Sequence, residues 1–150
     1  MSGWFNQAKK DVMDGTINLD TDTLKVMLVD SGYTFNPDDD FVSSGAGTPG
    51  GEELSGTGYV AGFGNSGRKT LANTVATADD ANNRGELDGD DVVWTAINAG
   101  TASAAIILKE VTNDAASRLI AYVDTGGFPF VTNGGDFTIQ WNAEGILQIT

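Results

Sequence analysis

The sequence predicts a mainly β domain, an antiparallel β-sandwich or jelly roll with a short N-terminal helix and one long Gly/Ser/Asp-rich loop. Three observations predict it. Apolar and polar residues alternate over short runs, which is the period of a half-buried strand. The runs follow one another at short spacing with Gly, Asn and Asp between them, as hairpins and tight turns require. Beyond the first fifteen residues no segment has a helical period long enough for a second helix, which disfavours a parallel sheet with helical crossovers. At 150 residues the chain, 1–150, is one domain by length and large enough to bury a core.

The helix is predicted over residues 2–14. Ser2 can cap its N-terminus, Trp4, Phe5, Ala8 and Val12 fall near one face, and Gly15 is a natural stop. Lys9 and Lys10 lie on the polar side. Two readings stay open: a helix packed on its own domain, or an arm that carries Trp4 and Phe5 into a neighbouring subunit. Strands are then predicted at 23–29, 69–78, 91–97, 103–111, 118–125, 136–142 and 146–150, with 58–63 a further candidate. In DFTIQWN, residues 136–142, Phe137, Ile139 and Trp141 point to one face. The turn Asn142-Ala143-Glu144-Gly145, with Gly145 in the left-handed conformation, predicts a hairpin that returns residues 146–150 antiparallel within the same subunit. Trp141 is expected among the larger core residues.

Two regions do not look like framework. Residues 30–58 are long, Gly- and Ser-rich and acidic, and predict either disorder or an arm that orders on a partner through Phe35, Phe41 and Leu54. Residues 77–92, TADDANNRGELDGDDV, predict a turn-rich acidic segment.

Composition removes much chemistry. There is no Cys and no His, so disulfides, thiolate nucleophiles, ordinary zinc sites and Ser-His triads are excluded. The formal net charge of −13 repels phosphates, and the eight basic residues are scattered, with Arg68 and Lys69 adjacent; nucleic acid is not an expected partner. No apolar run approaches the roughly 18 residues of a membrane span. The N-terminus has no apolar core of a signal peptide, which predicts a protein made and retained in a cytoplasm unless a larger assembly carries it out. Acidic clusters at Asp38–Asp40, Asp79–Asp80 and Asp88, Asp90 and Asp91 invite calcium. However, DGDD lacks the spacing of an EF-hand, and the clusters read as solvated turns. GFGNSGRKT does not fit the phosphate-loop pattern, because Gly67-Arg68 stands where Gly-Lys is needed. No catalytic residue, metal or cofactor is expected, and the chain is not expected to be an enzyme.

The order of segments resembles a family of small structural proteins of tailed bacteriophages. The segments that carry it are DGTINLDTDTLKVMLVDSGYTFN, ELSGTGYVAGFGNSGRKTLAN, ELDGDDVVWTAI, LIAYVDTGG and DFTIQWNAEGILQIT, which together span most of the chain. Some such proteins look like capsid decoration (cement) proteins. The resemblance implies a virion protein made in a bacterial host cytoplasm and placed on the outer surface of the head, often a homotrimer, bound to the major capsid protein and stabilising the shell. It does not explain the Gly/Ser insertion at 43–51. The partner-contacting residues expected on this reading are Trp4, Phe5, Lys9, Lys10, Phe35, Phe41, Leu54, Arg68 and Lys69. The alternative expectation is a head-fibre, tail or adhesion module that binds a host surface glycan, on which Trp and Tyr residues are suited to stack.

Overall fold

The computed structural model describes residues 3–150. Twelve short strands and one helix follow in order: β1 (Gly3–Trp4), α1 (Asn6–Met13), β2 (Leu24–Val29), β3 (Lys69–Leu71), β4 (Val75–Asp79), β5 (Arg84–Asp88), β6 (Val92–Trp94), β7 (Thr101–Ala102), β8 (Ala104–Lys109), β9 (Arg118–Val123), β10 (Phe130–Val131), β11 (Phe137–Ile139) and β12 (Leu147–Ile149). Every strand pair is antiparallel. The expected mainly β class is therefore what the chain adopts.

A five-stranded sheet in the order β1-β9-β8-β2-β3 forms the body. Its three inner strands, LKVMLV, AAIILK and RLIAYV, are buried at nearly every position. Both of their faces must therefore be covered, because side chains alternate across a strand. Phe35 stacks on Tyr122 with centroids 4.9 Å apart and meets Phe5 edge-on at 5.2 Å. A second aromatic group runs Tyr59–Trp94–Phe137–Phe130, with Trp94 and Phe137 at 5.8 Å and Phe137 and Phe130 at 4.3 Å. Trp94 lies on β6 and Phe137 on β11, and these two strands pair with each other.

The helix is shorter than expected and belongs to its own domain. It spans Asn6–Met13, and its N-terminal boundary is Phe5 in an extended conformation, with no side-chain cap. The Ser2 cap lies outside the described residues. Trp4, expected in the helix, instead pairs in β1 with Ala121 of β9. Buried Asp11 holds the helix down by accepting hydrogen bonds from Arg118 at 2.6 Å and Gln7 at 2.9 Å.

Four other expectations are corrected. The strand over 69–78 divides into β3 and β4 at Asn73, whose φ is +52°. Residues 58–63 form no strand; Tyr59 makes one isolated bridge, to Gly56. The segment 77–92 is largely a hairpin, because β4 pairs with β5 over five residue pairs, from Val75–Asp88 to Asp79–Arg84. Asn tolerates the left-handed geometry that this turn demands at Asn83, φ +55°. The C-terminal hairpin does not form. Its turn is present, with Gly145 N–H donating to the Asn142 carbonyl at 2.9 Å and Gly145 at φ +87°. The strands leave that turn for different partners: β11 pairs with β6 and β12 pairs with β5. Trp141 is consequently half-buried rather than central, its indole N–H donating to the Asp90 carbonyl at 2.9 Å. The last strand does pair within the chain, as expected.

The largest correction is residues 30–58, which are neither a free arm nor a loose loop. Residues 40–42 lie along the outer edge of β9: Leu119 N–H donates to Asp40 at 3.2 Å and Val42 N–H to Ser117 at 3.0 Å. Residues 52–54 lie along the outer edge of β2 beyond β3: Asp30 N–H donates to Glu52 and Leu54 N–H to Leu28, both at 3.0 Å. One segment thus completes both edges of the five-stranded sheet, which removes pairing sites that an open edge would expose. The Gly/Ser insertion folds back between these contacts, with Gly50 N–H on Val42 at 3.0 Å. A Cβ at Gly50 would overlap the Ser43 carbonyl oxygen, so a larger residue there would displace backbone.

Candidate functional site

The residue that holds the long segment in place is Arg68. It follows Gly67, where a Cβ would run into the Tyr59 ring. This close approach lets the chain turn inward, and the Arg68 side chain is fully buried. Its Nε and Nη2 donate to the two oxygens of Glu53 at 3.0 and 2.7 Å. Nη1 donates to Asp114 at 2.6 Å and to Glu110 at 3.2 Å, and Nη2 also reaches Asp114 at 3.1 Å. Glu53 accepts further bonds from the Tyr59 hydroxyl and from Gly62 N–H, both at 3.0 Å. The Tyr59 hydroxyl in turn accepts from Leu28 N–H at 2.9 Å. Glu110 accepts from Gly64 N–H at 3.1 Å.

A buried charge is costly unless it is paired and fully hydrogen-bonded. Here the planar guanidinium meets two carboxylates in two-point contact, the geometry that best repays desolvation. Burial alone would lower the Arg68 pKa, but the hydrogen bonds and charges of Glu53 and Asp114 reverse this and hold it above its usual value. Burial, reinforced by the neighbouring Glu53 carboxylate, pushes the Tyr59 phenol well above its ordinary range. Arg68 therefore joins residue 53 of the long segment, the 59–68 loop and the 110–114 loop at one point.

That joint fixes what the loops display. Val60, Phe63 and Val111 are 53%, 39% and 50% exposed. The Gly64–Glu110 bond ties the Phe63 loop to the Val111 loop. Three apolar side chains are thus held outward on loops whose bases are rigidly joined, beside the acidic residues Glu110 and Asp114. Sequence reasoning missed all three. In the sequence Val60 and Phe63 are isolated apolar residues among the glycines of GYVAGFG, and Val111 is the last residue of the strand predicted at 103–111.

The residues expected to touch a partner fall into three groups. Phe5, Leu54 and Arg68 are buried, so that expectation is corrected for them: Phe5 and Leu54 fill the core and Arg68 is the internal joint. Trp4, Phe35 and Phe41 are half-buried. The Trp4 indole N–H donates to the Gln148 carbonyl at 3.0 Å, Phe35 packs on Tyr122, and the Arg118 guanidinium lies 5.5 Å from the Phe41 ring centre. Lys9 and Lys10 are exposed on α1, with Lys10 paired to Asp14 at 2.6 Å, and Lys69 is half-exposed on β3. The structure does not bring these nine residues into one surface.

The acidic clusters act as turn caps. Asp39 accepts from Tyr33 and Asn36, Asp90 from Asn73, and Asp91 from the Trp141 N–H. Asp79, Glu86 and Glu144 bring oxygens together within 4.8 Å. Arg84 lies among them, 3.0 Å from Asp79 and 2.6 Å from Glu86 and also in contact with Glu144. Its guanidinium supplies there the positive charge that a cation would bring. No family model, no curated protein and no solved structure matches this chain.

Proposed function

We propose that the chain is a virion structural protein of a tailed bacteriophage, a capsid decoration protein that binds the outer surface of the major capsid protein shell and stabilises the head. The observation that carries the reading is the trio of exposed apolar side chains, Val60, Phe63 and Val111, on loops joined by buried Arg68. A clamp on a shell needs a preorganised apolar contact, because ordering loops on binding costs affinity. An acidic body beside it keeps copies soluble and directs the opposite surface away from packaged DNA. The segment resemblance points to the same class of protein. Assembly as a homotrimer is part of this proposal, since several modest contacts acting together bind far more tightly than one.

The test is co-sedimentation of the purified chain with DNA-free heads of the phage that encodes it. Saturable binding is expected, with Phe63→Asp weakening it about tenfold or more, the loss of one central anchor. Light scattering should give three times the chain mass. Absence of binding to heads contradicts the role, and undiminished binding by Phe63→Asp together with Val111→Asp moves the contact elsewhere.

A further inference from the structure

We propose that the groove between β1 and the β11–β12 turn binds a neutral saccharide. The groove has a volume of about 560 Å³ and is lined by Trp4 and Trp141, the polar Gln140, Asn142 and Gln148, and several glycine and aliphatic positions. That volume lies within the range of about 300–1,000 Å³ typical of small-molecule sites. Among the described residues, none that lines the groove is ionisable, although the chain carries 21 acidic residues. A charged ligand would lie there without a partner, whereas a polar neutral one would not. A pyranose has this double character: its C–H face packs on an indole and its hydroxyls need amide donors and acceptors.

The groove is also built to hold its aromatics still. The Trp4 N–H is fixed to Gln148 and the Trp141 N–H to Asp90, so both rings are anchored by their edges. Trp141 N–H of the backbone is fixed to Asp91 at 3.0 Å. Gln140, between buried Ile139 and Trp141, is exposed, and its side-chain amide takes no partner among the described residues. It is therefore available to a ligand hydroxyl. Rigid aromatic walls with a free amide at the rim are what a weakly binding but selective sugar site requires.

This site goes beyond the capsid-binding role and does not rest on it. It is distinct in sequence from the Val60, Phe63 and Val111 loops, and it would equally serve a fibre or adhesion module. The two readings are tested on different materials: heads for one, the isolated chain for the other.

The probes are free glucose, galactose, mannose, N-acetylglucosamine and their disaccharides, titrated into the full chain while tryptophan fluorescence and amide chemical shifts are followed. At least one probe should saturate below about 20 mM, with shifts confined to residues around 139–148 and 3–4. Trp141→Ala should weaken it by about tenfold or more, and Gln140→Ala by about threefold. N-acetylneuraminic acid, an anionic sugar, should not compete. Gln140 is exposed, so its variant reports binding with the fold intact even where Trp141→Ala disturbs the turn. Titrations that remain linear for every probe, or shifts that fall outside the groove, overturn the proposal.

Discussion

Residues 30–58 and residues 75–88 make an instructive pair. The first contains no regular strand, yet it buries Tyr33, Val42, Glu53 and Leu54 and completes both edges of the main sheet. The second is a regular hairpin with an unbroken ladder, yet of its residues only Leu87 is buried. Regular hydrogen bonding and integration into the core are separate properties. A segment rich in Gly, Ser and Asp becomes part of the framework when its backbone finds partners and one buried cation binds its carboxylate. A segment with good strand pairing stays peripheral when its side chains have nothing to pack against.

The sharpest way to break this contrast is Arg68→Met. It leaves the Glu53 carboxylate buried without its counter-charge, and the loss should be about 3–5 kcal/mol, read by urea denaturation. Proteolysis should then cut within 30–58 first, while the 75–88 hairpin is no more sensitive than before. Equal protection of residues 30–58 in the variant would show that Arg68 is not the joint. Next is Leu54→Ala, whose buried side chain should be worth about 2–5 kcal/mol.

Solution pH separates the two regions from opposite ends. The Tyr59 phenol is held above its ordinary value of 10.0 by burial beside Glu53. Folding therefore favours its protonated form, and the stability this gives is full below pH 10 and is lost as pH rises beyond it. In the hairpin, Asp79 lies below its ordinary 3.8, chiefly through the hydrogen bond from Asn82, aided by Arg84. Its contribution is present above that value and lost as pH falls below it. Hydrogen exchange should show residues 52–62 loosening first in alkali and residues 79–84 first in acid. Tyr59→Phe should reduce the alkaline response, and the remainder comes from Tyr33 and Tyr122, whose phenols burial also raises. The smallest effect is expected from Val75→Ala on exposed β4, within about 0.5 kcal/mol in thermal denaturation; a loss several times larger would mean that the hairpin is covered by another copy of the chain.

Much of the framework was legible because a strand buried on both faces must be written in apolar residues. LKVMLV, AAIILK and RLIAYV each announce their strand, and each lies inside an expected range. The C-terminal turn was legible too, since Asn142 and Gly145 specify it locally. What could not be read was the pairing on either side of that turn. β11 goes to β6 because Phe137 stacks on Trp94, a contact between residues 43 positions apart that no local pattern encodes. The same holds for Arg68, whose carboxylates come from positions 53, 110 and 114. In sequence it is one basic residue in a glycine-rich run, and only the fold turns it into an internal joint. Val60, Phe63 and Val111 were missed for the converse reason: isolated apolar residues in loops carry no period, and their exposure is a tertiary fact.

The most direct measurement of the central claim is cryo-electron microscopy of DNA-free heads, imaged with and without the purified chain. Added density is expected on the outer surface of the shell at three-fold positions, with the 60–64 and 110–114 loops against the major capsid protein. Heads whose outer surface is unchanged by saturating protein, or density that meets the shell through the opposite face with those loops in solvent, would contradict it.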